Sequence, residues 1–179
     1  MFLELGGFRI KIVLLVFIIT LSLALGVQYL SYQKRVIEPI IRVFSEIDGV
    51  IQIETERQHS GIKLIIALGD CARFDQVMHN ILSAAERFDS LLKIEIKDAG
   101  NSRLEQIYHE MHYAIEQAVV IGDFREMAVV IEEIAQQNNI KYRITIDREY
   151  VYLQLHEADN YLYQLICRHN QPIAVRFER

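Results

Sequence analysis

The sequence predicts an α+β protein: an N-terminal transmembrane helix, then two tandem αββαβ units joined by an amphipathic helix. Three observations carry that prediction. The run Ile12–Leu30 is apolar almost throughout, and no charge falls between Lys11 and Lys34. The rest of the chain switches repeatedly between helical spacing and strict alternation of apolar and polar residues. The order of those switches, helix, strand, strand, helix, strand, occurs twice, at 36–98 and 123–179, with one helical segment at 103–121 between them.

At about 1.5 Å per residue, the apolar run is long enough to cross a hydrocarbon core about 30 Å thick. Residues 12–31 are therefore read as a single-pass membrane anchor behind a tail of residues 1–11. A cleaved secretory signal is the alternative, with Arg9 and Lys11 as its basic end and Ala24-Leu25-Gly26 as a small-residue processing site. The run outlasts the usual apolar region of such signals and continues into Tyr29, Leu30 and Tyr32. Tyrosines there suit an interfacial belt, which favours an uncleaved anchor. Arg9 and Lys11 on one side face Lys34, Arg35 and Arg42 on the other, so basic residues do not fix the orientation.

In the first unit, Ile37, Ile40, Ile41, Phe44 and Ile47 recur at helical spacing, with Pro39 in the first turn and Asp48-Gly49 as the stop. Ile51, Ile53 and Thr55 then alternate with polar residues. A turn at Gln58-His59-Ser60-Gly61 leads into Ile62, Leu64, Ile66 and Leu68, which reads as a hairpin. Gly69-Asp70 opens a second helix with the stripe Phe74, Val77, Met78, Ile81, Ala85 and Phe88. Leu92, Ile94 and Ile96 mark a third strand, broken at Asp98-Ala99-Gly100-Asn101. The joining helix carries Leu104, Ile107, Met111, Ile115 and Ala118 on its apolar side.

The second unit opens on an Asp123/Glu126 capping box and a helix with Phe124, Met127, Ile131, Ile134 and Ala135, ending at Asn138-Asn139. Tyr142, Ile144 and Ile146 form the inward set of one strand. After a turn near Arg148-Glu149, Val151, Leu153 and Leu155 form that of its partner. Asp159 is read as the cap of a further helix burying Leu162, Leu165 and Ile166. Beyond Pro172, a last strand is expected to place Ile173, Val175 and Phe177 inward.

Composition limits function. Residues 36–179 hold 15 basic against 23 acidic side chains, a net of about −8, which repels nucleic acid unless the charge is segregated. Cys71 and Cys167 stand far apart and in no CxxC pair; one long-range disulfide stays open. No Gly-rich phosphate loop, nucleophile elbow or paired-glycine nucleotide fingerprint occurs, so no enzyme and no cofactor is expected. Glu105, His109, His112 and Glu116 share one stripe of the joining helix, and His109 and His112 are weak metal candidates. The four residues span about 16 Å and cannot all reach one ion, so a solvated face is the expected role.

Each αββαβ unit can place both helices on one face of a three-stranded sheet and leave the other face open. In the second unit, that open face is expected to carry Lys141, Arg143, Tyr150, Tyr152, Gln154 and Arg176. Tyr150, Tyr152, Arg143 and Arg176 are its candidate interface residues, because tyrosine and arginine populate protein interfaces preferentially. The element order resembles the ring-building motif of proteins that form membrane-associated rings in bacterial secretion systems and the sporulation channel. It is also similar to the ferredoxin-like domains of inner-membrane alignment proteins in type II secretion and type IV pilus machines. Both resemblances imply a non-enzymatic scaffold with an extracytoplasmic soluble part. Such a scaffold would partner the membrane, copies of itself or other envelope proteins, and not nucleic acid. A membrane-tethered ligand-binding sensory or regulatory module is the alternative; it would need a concave pocket between the two units.

Overall fold

Helix α1 runs over Glu4–Tyr32, and within it Ile12–Ser31 has the length and composition to cross a membrane. The apolar side chains from Ile12 to Leu30 are exposed rather than packed on protein. The Thr20 hydroxyl donates to the Val16 carbonyl at 2.9 Å, so its polar group is satisfied within the helix, as an apolar surround demands. The structure, a computed structural model, describes residues 4–32, 35, 37–58, 61–169 and 175–177. It divides into a unit of residues 1–43 and a unit of residues 44–179. Helix α2 follows at Glu38–Ser45, with Pro39 in its first turn as expected.

In the larger unit, β1 (Val50–Gln58) and β2 (Gly61–Leu68) form the predicted antiparallel hairpin; His59 and Ser60 of the turn lie outside the described residues. Helix α3 (Phe74–Ala85) and a short 3-10 helix (Glu86–Leu91) carry the chain to β3 (Leu92–Lys97), parallel to β2. A parallel neighbour needs such a crossover, since no tight turn can return the chain in the same direction. Alternation then fixes the faces. Leu64, Ile66, Ile94 and Ile96 are buried, as are Phe74, Met78 and Ile81 of α3. The other face of this sheet is charged: Lys63 Nζ lies 3.0 Å from Glu95 Oε1 and 3.7 Å from Glu56 Oε2.

Helix α4 (Ser102–Ile121) starts at Asn101, whose side chain accepts the Leu104 N–H at 2.8 Å, and stops at Gly122, where φ is +88°. Glycine suits this left-handed cap because it has no Cβ to clash. Helix α5 (Phe124–Asn138) is capped by Asp123, which accepts the Glu126 N–H at 3.1 Å. Strands β4 (Lys141–Ile146), β5 (Tyr150–Glu157) and β6 (Asn160–Cys167) follow in one antiparallel sheet. Its first face packs on the helix pair: Leu104, Ile107, Met111, Ile115 and Ile131 meet Val151, Leu153, Leu155, Leu162 and Ile166.

Two expectations for the second unit are corrected. Residues 160–167 form a strand, not a helix. Glu157 pairs with Asn160 across a two-residue turn, in which Ala158 adopts φ +52°. Strand β6 is covered on both sides, with Leu162 and Ile166 against the helices and Tyr163 fully buried on the other face. It therefore lacks the alternation that marks a half-exposed strand. The last strand, β7 (Val175–Phe177), does not close this sheet either. It lies parallel to β3, with Glu95 opposite Arg176, giving sheets ordered β1-β2-β3-β7 and β4-β5-β6. The outer edge of β6 is already occupied, since the Tyr161 N–H donates to the Ala99 carbonyl at 3.3 Å and the Tyr163 N–H to Asp98 Oδ2 at 2.7 Å. Pro172 and Ile173 lie outside the described residues. The αββαβ order is thus present as α2-β1-β2-α3-β3 and absent from the second half, which reads α5-β4-β5-β6.

Candidate functional site

The face of the second sheet expected to be open is covered along most of its width. Tyr150 and Tyr152 are each 4 % exposed and Gln154 is 3 % exposed, so the two tyrosines are not available at the surface. The cover is the segment from Leu68 to the start of α3. Phe74 stacks on Tyr163 at 4.7 Å and meets Tyr152 edge-on at 6.2 Å. Tyr163 accepts the Cys71 N–H at 2.8 Å and donates to the Gly69 carbonyl at 3.0 Å. Gln154 donates to the Cys71 carbonyl at 2.8 Å and accepts the Phe74 N–H at 3.4 Å, while the Tyr161 hydroxyl donates to the Leu68 carbonyl at 3.0 Å. An irregular backbone segment with no ladder of its own is thereby satisfied by side chains of β5 and β6, as a buried loop requires. Burial, against the opposing Cys71 amide bond, pushes the Tyr163 hydroxyl well above the usual tyrosine range. Desolvation likewise raises the Cys71 thiol, which donates to the Gly69 carbonyl at 3.2 Å and so behaves as a packed group rather than a nucleophile.

Recesses lie beside β4 among the described residues. One, about 580 Å³, lies over Gln154 and is walled by Asp70, Arg103, Lys141, Arg143, His156 and Glu157. Most of its charges are internally matched: Arg103 pairs with Glu157 and donates to the Asn138 carbonyl at 2.9 Å, and His156 Nδ1 stands 3.5 Å from Asp70 Oδ1. Lys141 and Arg143 are exposed on the same face of β4, opposite His156 and Gln154 of β5. The second recess, about 430 Å³, is lined by Asp75, His79, Asn80, Thr145, Asp147 and Tyr152. Asp147 accepts the Glu149 and Tyr150 N–H groups at 2.7 Å each and the Tyr152 hydroxyl at 2.7 Å. Desolvation works to raise its carboxyl pKa, but these hydrogen bonds and the His79 charge outweigh it, and the net shift is downward.

No protein-family model, no curated protein and no solved structure matches this chain. The strand edges and side chains must therefore speak for themselves. In the histidine stripe, His109 is exposed and His112 is half-buried, its Nδ1 3.2 Å from the Tyr108 hydroxyl and its Nε2 3.9 Å from Glu116 Oε1. Among the described residues no three His, Cys, Asp or Glu side chains are grouped to hold a metal ion. Cys71 and Cys167 are both free thiols. Of the four named interface residues, Tyr150 and Tyr152 are internal, Arg143 is exposed, and the Arg176 side chain lies outside the described ones.

Sequence reading missed His156, Asp70, Arg103 and Glu157. His156 and Glu157 sit at the ragged end of an alternating strand, and Asp70 and Arg103 come from loop and helix positions without periodic signal. It also missed the edges. Strands β1 and β7 are outermost in the first sheet and β4 and β6 in the second. Glu54 and Glu56 are exposed on β1, and Lys141 and Arg143 on β4.

Proposed function

We propose that this protein is a non-enzymatic, membrane-anchored structural or interaction component of a bacterial envelope assembly of the secretion, pilus or sporulation type. One α+β domain stands behind an N-terminal anchor and faces the extracytoplasmic side. The observation that carries this reading is the pair of outer strands, β1 and β4, on one compact unit that follows a helix of membrane-crossing length. An outer strand presents a row of backbone donors and acceptors to a partner. Further support comes from Tyr113, Val120 and Val129, exposed apolar residues of α4 and α5 of the kind that partners cover. In this account the tyrosines of β5 hold the domain together, and the partner meets its edges.

Alkaline extraction of cell membranes and crosslinking in them test the reading together. The protein is expected to stay with the lipid and to crosslink to itself or to another envelope protein. A C-terminal reporter is expected to signal from the extracytoplasmic side. Extraction into the aqueous phase, or the absence of any protein crosslink, would overturn it.

A second reading, a tethered ligand-binding regulatory module, is favoured by the recess of about 580 Å³ between the sheets, a size typical of small-molecule sites. Saturable binding of a small ligand, lost in Arg143→Gln, would support that module over the scaffold.

A further inference from the structure

We infer that the partner of the β1 edge is the β4 edge of a second copy of this chain, so that neighbouring molecules join head to tail by strand addition. The inference rests on the assembly reading above and names its contact. Four observations lead to it.

The first is availability. Of the four outer strands, β6 is closed by the Ala99 carbonyl and the Asp98 carboxylate and β7 is only three residues long, whereas β1 is exposed at most of its positions and β4 at Lys141 and Arg143.

The second is charge. On β1, Glu54 and Glu56 lie on one face by alternation, and both are exposed; Glu56 also stands 3.7 Å from Lys63 of β2, and Arg57 falls on the opposite face of the strand. On β4, Lys141 and Arg143 likewise share one face and are exposed. Neither basic residue is within ion-pair distance of an acidic group among the described residues. A domain of net charge about −8 thus places two unmatched cations together on one outer strand.

The third is exclusion of the symmetric alternatives. Pairing β1 with β1 brings Glu54 and Glu56 against their own copies, and pairing β4 with β4 does the same for Lys141 and Arg143. Like charges across a strand pair are destabilising and opposite charges favourable. The charges that keep each edge from pairing with itself therefore select the unlike pair.

The fourth is geometry of supply. Each copy carries both edges on one compact unit, and a contact between unlike patches is heterologous, so it propagates into a ring or a filament. Confinement of copies to a bilayer raises their effective concentration and lets a short contact suffice.

The experiment uses the full chain in native membranes and in detergent. In a Cys167→Ser background, a chain carrying both Glu54→Cys and Arg143→Cys is expected to give an oxidative ladder of dimers and higher species. Each cysteine alone is expected to give little. In solution, Glu54→Lys with Glu56→Lys is expected to weaken self-association at least about tenfold, and Lys141→Glu with Arg143→Glu to do the same. An equimolar mixture of the two reversed chains is expected to associate again, because each then offers the edge the other needs. Circular dichroism checks that the exposed substitutions leave the fold intact. Absence of self-association by the unaltered chain would overturn the β1 to β4 contact, whereas absence of any protein crosslink in native membranes would overturn the assembly reading itself. Self-association that survives both reversals, or crosslinks formed as readily by either cysteine alone, would overturn the β1 to β4 contact and leave assembly by another surface.

Discussion

At the scale of single residues, Ala158 and Asp147 are the most informative, because each holds a hairpin turn: Asp147 the one expected near Arg148-Glu149, Ala158 one that the sequence disguises. Ala158 occupies the left-handed region at φ +52°, which costs an L-residue with a Cβ about 1 kcal/mol or more. Ala158→Gly is therefore expected to stabilise the protein by about 0.5 kcal/mol, the relief being partly offset by the freer unfolded chain. A rise in the thermal midpoint of the solubilised protein checks it. Asp147 binds three donors, yet it is exposed, so Asp147→Ala is expected to cost only about 1 kcal/mol. Its folded pKa lies below the unfolded value of about 3.9, so its contribution is complete above that value. The contribution disappears as pH falls through the lower folded value. Chemical denaturation of wild type and Asp147→Ala is expected to show a constant difference between about pH 5 and 7 that closes in stronger acid.

At the scale of elements, the central feature is a sheet buried on both faces. Leu153→Ala removes a side chain packed under α4 and α5 and is expected to destabilise by about 2–5 kcal/mol. Tyr152→Ala, which an open face would tolerate, is expected to cost about 3 kcal/mol or more, because the ring sits against Phe74. Tyr163→Phe keeps the stacking but leaves the Cys71 N–H without its partner and the Gly69 carbonyl with only the Cys71 thiol, for an expected loss of about 1–3 kcal/mol. Denaturant titration ranks the three. The same burial explains what could and could not be read from sequence. Strands β1, β3 and β4 have one polar face, and there alternation gave both their existence and their facing, down to Tyr142, Ile144 and Ile146 against the core. The capping signals at Asp123 and Asn138-Asn139 marked α5 correctly. Strand β6 has no polar face, and Leu162, Leu165 and Ile166 fit a helix as well as a strand. The facing of Tyr150 and Tyr152 was legible; what lay opposite them was not. Their cover comes from residues 68–74, about 80 positions away in sequence, through side-chain bonds to backbone that no local pattern encodes.

At the scale of the whole molecule, the second half is not a copy of the first, since β7 leaves its own half to pair with β3. The Cys71, Phe74, Gln154 and Tyr163 contacts join the two sheets into one domain and leave its periphery exposed. There Glu54 and Glu56 are exposed on β1 and Lys141 and Arg143 on β4, within a chain of formal net charge −5. Contacts of this kind are screened by salt, with a Debye length of about 8 Å at physiological ionic strength and about 3 Å at 1 M. The most direct measurement is the mass of the detergent-solubilised full-length protein by light scattering, over a range of protein concentrations at low and high salt. The account predicts a mass that grows with concentration at low salt and falls back toward one chain at about 1 M salt. A single-chain mass at every concentration in low salt would contradict it.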